Sequence, residues 1–386
     1  MSRLLSFRVF FLLMTSIVGG AHYFVWVRLI RDAQLAPGVH RALTLLLVFL
    51  FLLIPGTLLS FRSLSPESAK PLSFLAFGWL GLLLFVFTLL LVGELARGLV
   101  ALGRLVVDAA PPDPSRRAAL ARLFAGAVTL ATLGLGAAAL RSGLARVAVK
   151  RVDVALSRLP ETMRGTTIAQ LTDVHIGPTI GKDFLEDIVA RTNQIQPDIV
   201  AITGDLVDGS VEDLRQHVAP LRDLKARYGV YFVTGNHEYY SGTEEWCEEL
   251  ERLGIRVLRN ERVSIGDGAA AFDLAGVDDY SAGSPDLAKA LAGRDSSREL
   301  ILLAHQPKAI HEAERLGVGL QLSGHTHGGQ LWPWKYLVRL QQPVVSGLEQ
   351  IGRALIYVSN GTGYWGPPMR LGAPAEITQI VLDRAV

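Results

Sequence analysis

The stretch DIVAITGD, residues 198–205, decides the fold. Four apolar residues run without a polar break and then stop at Gly204-Asp205. The run is too short for a helix and lacks polar alternation, so it reads as a strand buried on both faces. The pattern repeats along the second half of the chain. Thr167–Leu171 runs into Asp173 and His175. Val230–Thr234 runs into Gly235-Asn236-His237-Glu238. Leu300–Ala304 ends at His305, and Gly319–Leu322 runs into Gly324-His325-Thr326-His327. Amphipathic stretches at 183–195 and 211–227 read as helices between these strands, and 354–358 and 376–382 as late strands. Alternation of this kind predicts a layered α/β architecture. In open α/β sheets, ligands bind beyond the carboxyl ends of the strands. Here five separate strands end in Asp, Asn or His.

Asp173, His175, Asp205, Asn236, His305, His325 and His327 together offer two carboxylates, one amide oxygen and four imidazoles. Mixed oxygen and imidazole donors suit Mn, Fe or Zn, and the set has none of the thiolates of a structural zinc site. Asp-x-His and His-x-His place two ligands on one edge of an extended segment. The glycines at 204, 235 and 324 permit sharp turns and close backbone approach. With a shared carboxylate, such a set could hold two cations about 3.5–4 Å apart, a spacing that clamps the attacking and leaving oxygens of a phosphoryl displacement.

The ordered blocks Asp-x-His, Gly-Asp, Gly-Asn-His-Glu, His and Gly-His-x-His resemble the calcineurin-like metallophosphoesterase superfamily over about residues 150–386. The resemblance implies a four-layer αββα sandwich and two divalent metal ions, Mn favoured over Fe or Zn. It assigns Asp173, His175 and His327 to the first metal and Asn236, His305 and His325 to the second, with Asp205 bridging both. It implies hydrolysis of a phosphate ester or pyrophosphate by a metal-bridging hydroxide. His237 would face the leaving oxygen, Glu238 would orient His237, and Asn236 would also touch substrate. His217 and His311 stand outside the motifs and are left out of the set.

The first half differs in texture. Segments 9–27, 42–61, 71–93 and 123–140 contain no Asp, Glu, Lys or Arg. Each is about long enough to cross a hydrocarbon core of about 30 Å as a helix. The expected organisation is a bundle of four transmembrane helices (about 9–30, 42–61, 71–93 and 119–140) within residues 1–149, then a catalytic domain at 150–386. Tyr23, Trp26, Trp79 and His22 are expected at headgroup level. Residues 108–115 read as a Pro-rich loop, and 141–151 as a basic juxtamembrane linker. Residues 1–149 hold 14 Lys/Arg and 5 Asp/Glu, whereas 150–386 hold 24 and 31. The overall charge of +2 conceals this asymmetry, and no basic stripe with interleaved aromatics indicates nucleic acid. Counting Lys and Arg in the connections places the catalytic domain outside the cytoplasm, on the inner membrane of a cell. The single cysteine, Cys247, forms no internal disulfide and reads as structural.

Gly324–Gln330 and Gly361–Arg370 resemble the membrane-associated YkuE/YaeI-like branch, which includes phosphodiesterases and a lipid-linked pyrophosphatase. Tyr364, Trp365 and Met369 are candidates for an apolar lip beside the metals, and Arg370 for pairing a substrate phosphate. The expected partners are the lipid bilayer and a phosphoester substrate, lipid- or envelope-linked, because a tethered domain meets such substrates at high effective concentration. The alternative is a membrane sensor with a phosphoesterase output domain.

Overall fold

A computed structural model describes residues 3–60, 64–106 and 113–385. Arg62 and residues 108–112 of the Pro-rich connection lie outside the described residues. The chain packs as two units. One runs to Arg141 and includes Gly366–Met369; the other holds Ser142–Trp365 and the residues from Arg370 on.

The first unit is helical. Helix α1 (Arg3–Val25) continues into a π-helical turn, Trp26–Arg31, and is followed by α2 (Pro37–Ser60), α3 (Pro66–Val106) and α4 (Pro114–Gly143). All four are long and apolar enough to cross a membrane. The third has 41 residues, about 60 Å at 1.5 Å per residue, and so is longer than the hydrocarbon core requires. Asp113 starts α4 by accepting the backbone N–H groups of Ser115 and Arg116 at 2.8 and 3.1 Å. Val18, Val25, Leu47, Ile54, Leu83, Leu90 and Val128 form the contact between helices. His22 and Trp79 pair with each other between the helices. His22 is buried, its Nδ1 2.8 Å from the Val18 carbonyl, and Trp79 Nε1 donates to His22 Nε2 at 2.9 Å. The pairing satisfies the buried His22 ring and the half-buried Trp79 indole against each other. At one end, Arg28 bridges Asp32 and Glu94, and Glu94 also takes Arg97.

The second unit contains two six-stranded sheets. The strands are β1 (Ala148–Leu156), β2 (Thr167–Leu171), β3 (Ile199–Ile202), β4 (Val230–Phe232), β5 (Arg256–Val257), β6 (Glu261–Ile265), β7 (Phe272–Gly276), β8 (Leu300–Leu303), β9 (Leu320–Ser323), β10 (Gly347–Ile351), β11 (Ala354–Val358) and β12 (Glu376–Arg384). Their orders are β1-β12-β2-β3-β4-β5 and β10-β11-β9-β8-β7-β6. Alternation explains the layers. In β3, Ile199 and Ala201 face the core between the sheets, while Val200 and Ile202 face helices Lys182–Gln194 and Thr243–Arg252. In β8, Ile301 and Leu303 join the same central core, and Leu300 and Leu302 face helix Ile310–Arg315. The result is helix, sheet, sheet, helix, which is why these strands show no polar alternation.

Two sequence expectations change. The helix predicted over 211–227 stops at Val218 and tightens into a 3-10 turn, Ala219–Asp223. Pro220 lacks the N–H that would continue it. The segment read as a linker already contains the start of β1, which pairs in parallel with β12 from Ala148 onward.

Candidate metal centre

The site lies where β2, β3, β4, β8 and β9 end. Five of the seven candidate ligands occupy the left-handed backbone region: Asp173, His175, Asp205, His325 and His327 have φ between 51° and 70°. Each non-glycine residue held there costs roughly 1–3 kcal/mol, and such strain collects at functional sites. Close packing of the strand ends imposes it. A Cβ on Gly324 would lie 2.1 Å from Asp173 Oδ2, and one on Gly235 would lie 2.2 Å from Asp205 Oδ1. Glycine at both positions lets the carboxylates approach the neighbouring backbone.

Two donor clusters result. Asp173, His175 and His327 bring ligand atoms within 4.8 Å of one another, as do Asp205, His305 and His325. Asp205 stands between them: its Oδ2 is 3.1 Å from His305 Nε2 and 3.9 Å from His175 Nε2. His175 Nε2 faces His327 Nε2 at 3.0 Å, and His305 Nε2 faces His325 Nδ1 at 3.2 Å. Asn236 is 9% exposed, and its Oδ1 is buried without a hydrogen-bond partner. A buried acceptor without a donor is costly, and a cation there would satisfy it. The oxygen and imidazole donors, the facing nitrogens and this unpartnered oxygen all fit a pair of divalent cations.

Electrostatics sharpen the picture. Burial works against a charge on His175, yet the carboxylates of Asp208, Asp205 and Asp173 outweigh it and hold the imidazole at about 9. Burial likewise opposes a charge on His305, and Asp205 raises it to about 10. His325 is pushed down to about 4 by burial and by His305, and His327 goes well below its ordinary value through burial and His175. Each facing pair thus sets an imidazole raised by neighbouring carboxylates against one lowered by burial and by the first. Asp173 rises through burial, while Asp205, despite burial, is driven far down by the His305 charge.

The structure also revises the surrounding roles. His237 Nδ1 lies 2.6 Å from Asp208 Oδ1, and the same oxygen is 3.0 Å from His175 Nδ1. Asp208, which the sequence motifs did not single out, therefore orients both rings. Burial would raise its carboxyl, but the His175 charge holds it at about 2. Its signal was an Asp three residues after Asp205, at the end of the same loop. Glu238, expected to orient His237, is buried and accepts the backbone N–H groups of Gly235, Leu206 and Asp205 at 2.7, 2.8 and 3.0 Å. It braces the loop that carries Asp205. Burial and the Asp205 charge raise it to about 7.

Arg370 does not offer its guanidinium to a substrate. It is fully buried, donating to the carbonyls of Gly363 and Ala373, with Nη2 3.3 Å from His327 Nδ1. Tyr364 is 5% exposed and packs in the core under the first sheet. The aromatics at the mouth are Trp365 and Tyr240, 55% and 74% exposed, with ring centres 5.7 and 5.5 Å from His237. Cys247 is buried, and burial pushes its thiol up to about 12, in keeping with a structural residue.

Residues 166–329 match the family model described as calcineurin-like phosphoesterase. A zebrafish protein described as a transmembrane protein with metallophosphoesterase domain is 37% identical across the whole of this chain and 91% of its own length. An uncharacterised metallophosphoesterase of Helicobacter pylori is 42% identical over 70% of this chain and 73% of its own. Among solved structures, a dimetal phosphatase from zebrafish aligns over 51% of this chain and 88% of its own, at 13% identity and a TM-score of 0.33.

Proposed function

Because the chain belongs to the calcineurin-like metallophosphoesterases, we propose that this membrane protein hydrolyses a lipid- or envelope-linked phosphate ester or pyrophosphate at the centre formed by Asp173, His175, Asp205, Asn236, His305, His325 and His327. The observation that carries the reading is Asp205, whose Oδ2 lies between two clusters of converging imidazoles. Asp173, His175 and His327 would hold one cation, Asn236, His305 and His325 the other, and Asp205 both. Manganese is the ion the family resemblance favours for this mixed oxygen and imidazole set. When bound, the pair would neutralise the phosphoryl oxygens and lower the pKa of an attacking water.

The chain's own residues then complete the chemistry. His237 keeps Nδ1 on Asp208, which leaves Nε2 to hold a proton toward the leaving oxygen. Asp208 fixes that orientation and that of His175 together. Glu238 ties the Asp205 loop to the Asn236 turn, accepting the N–H groups of Asp205 and Leu206 on one and of Gly235 on the other. Trp365 and Tyr240 supply exposed aromatic faces beside His237 for the apolar part of a substrate. The four apolar helices support a lipid-linked substrate through tethering. The balance of Lys and Arg in the connections supports an inner-membrane location with the second unit outside the cytoplasm.

The test is hydrolysis of bis-p-nitrophenyl phosphate by the full-length protein in lipid nanodiscs reconstituted with Mn²⁺. Metal-dependent turnover is expected, with loss of both turnover and bound metal in Asp205→Ala. Full turnover by Asp205→Ala would refute the assignment.

A further inference from the structure

The segment after the last histidine pair carries apolar side chains that the core does not take up. Trp332, Tyr336, Leu337 and Leu340 are 51%, 59%, 51% and 81% exposed, and no residue of the short helix Lys335–Val338 is buried. Backbone N–H groups of Tyr336, Leu337, Arg339 and Gln342 donate to the carbonyls of Pro333, Trp334, Lys335 and Val338, which extends helical turns on both sides of it. Helical spacing sorts the side chains. Tyr336, Leu337 and Leu340 stand at i, i+1 and i+4 and share one face, while Lys335 and Arg339, four apart, line its flank. Residues 328–348 include no Asp or Glu, so the segment carries its two cations without an acid of its own.

Large apolar side chains gathered on a surface mark a binding face. Composition names the partner. Trp and Tyr concentrate where a bilayer meets water, Leu suits the acyl boundary beneath, and Lys and Arg suit anionic headgroups. The same chain supplies four helices long and apolar enough to cross that bilayer. The segment is also fastened to the mouth of the metal centre. Gln330 accepts the Trp365 N–H at 3.1 Å and donates to the Trp365 carbonyl at 3.0 Å, and the Trp332 N–H donates to the Leu371 carbonyl at 2.9 Å. Trp365 is the aromatic whose ring centre lies 5.7 Å from that of His237. Gly366–Met369, which follow it in the chain, belong to the helical unit.

We propose that Trp332, Tyr336, Leu337 and Leu340 enter the headgroup region of the bilayer, with Lys335 and Arg339 against anionic headgroups. The segment is a second membrane contact, made by the sheet-containing unit itself. Through Gln330 it holds Trp365 at the lipid surface, so a lipid-linked substrate reaches the mouth of the metal centre without leaving the membrane. That consequence deepens the phosphoesterase reading and rests on it; the docking does not.

Two measurements on full-length protein in nanodiscs test the proposal, one of docking and one of access. For docking, a nitroxide is attached at Leu340→Cys in a Cys247→Ala background. Its collisions with oxygen and with a water-soluble nickel chelate are compared by electron paramagnetic resonance. In discs of phosphatidylcholine and phosphatidylglycerol the label is expected to favour oxygen, as a membrane-embedded site does, and Lys335→Gln/Arg339→Gln is expected to shift it toward the chelate. A label that meets the chelate as freely as one at the exposed Glu251→Cys overturns the proposal. So does a label shielded from both reagents, which would put a protein partner on this face. For access, Tyr336→Ser/Leu340→Ser is assayed with hexadecyl p-nitrophenyl phosphate dissolved in the disc and with water-soluble bis-p-nitrophenyl phosphate. KM for the lipid-like ester is expected to rise about tenfold, with kcat/KM for the soluble ester as in the parent. An unchanged KM for the lipid-like ester, or equal losses on both esters, overturns the access role. Circular-dichroism melts confirm that the variants are folded. Failure of the parent to hydrolyse bis-p-nitrophenyl phosphate would instead count against the phosphoesterase reading, and the nitroxide would still report on docking.

Discussion

At the residue scale, one carboxylate oxygen of Asp208 positions two imidazoles to which the proposed function gives different tasks, holding metal for His175 and carrying a proton for His237. Asp208→Asn keeps the shape and removes the charge. Outer partners of this kind are typically worth 10–100-fold in metal affinity or activity, so a loss of roughly that size is expected. The pH dependence follows from His175. The nearby carboxylates, against the effect of burial, raise its imidazole from 6.5 to about 9, so metal-free protein carries that proton at pH 7. A metal ion must displace it, so metal affinity should climb as pH rises toward about 9, with protons released on binding. In Asp208→Asn the raising charge is gone, so fewer protons should be released at pH 7. Metal titration in two buffers of different ionisation enthalpy measures this directly; equal proton release by variant and parent would contradict it. The seven candidate ligands were legible in the sequence because each follows an apolar run and belongs to a spaced motif. Asp208 was not, because its role depends on His237 arriving from the next strand. Arg370 and Tyr364 were misplaced for a related reason: a glycine-rich loop reads the same whether its side chains turn outward or, as here, into the core.

At the element scale, strands β2, β3, β8 and β9 were legible because both their faces are buried, leaving apolar runs with no polar interruption. β1 was hidden for the opposite reason. It is an edge strand with an exposed, charged face, and Lys150, Arg151 and Asp153 make it look like a linker. Its identity comes from pairing with β12, more than two hundred residues away. Among the helices, α1–α4 were legible from length and apolarity alone, but the His22–Trp79 contact was not, since it needs α1 and α3 side by side. If all four of these helices span, residues 3 and 385 lie on one side of the membrane. The Lys and Arg balance predicts that this side is extracytoplasmic. A pair of reporters fused after Val386, alkaline phosphatase and a fluorescent protein that matures only in the cytoplasm, checks the arrangement. Phosphatase activity without fluorescence is expected; fluorescence alone would reverse the orientation.

At the scale of the whole molecule, a helical unit suited to the bilayer is joined to an αββα unit whose strand ends are strained toward a single centre. Left-handed φ values at five candidate ligands, two facing imidazole pairs and the unpartnered Asn236 oxygen all fit a pair of cations bound there. The central claim is therefore a count. Elemental analysis by inductively coupled plasma mass spectrometry, on full-length protein purified in nanodiscs and reconstituted with Mn²⁺, should give two ions per chain in the parent and a loss of both in Asp205→Ala. One ion or none in the parent, or two retained in Asp205→Ala, would contradict the account.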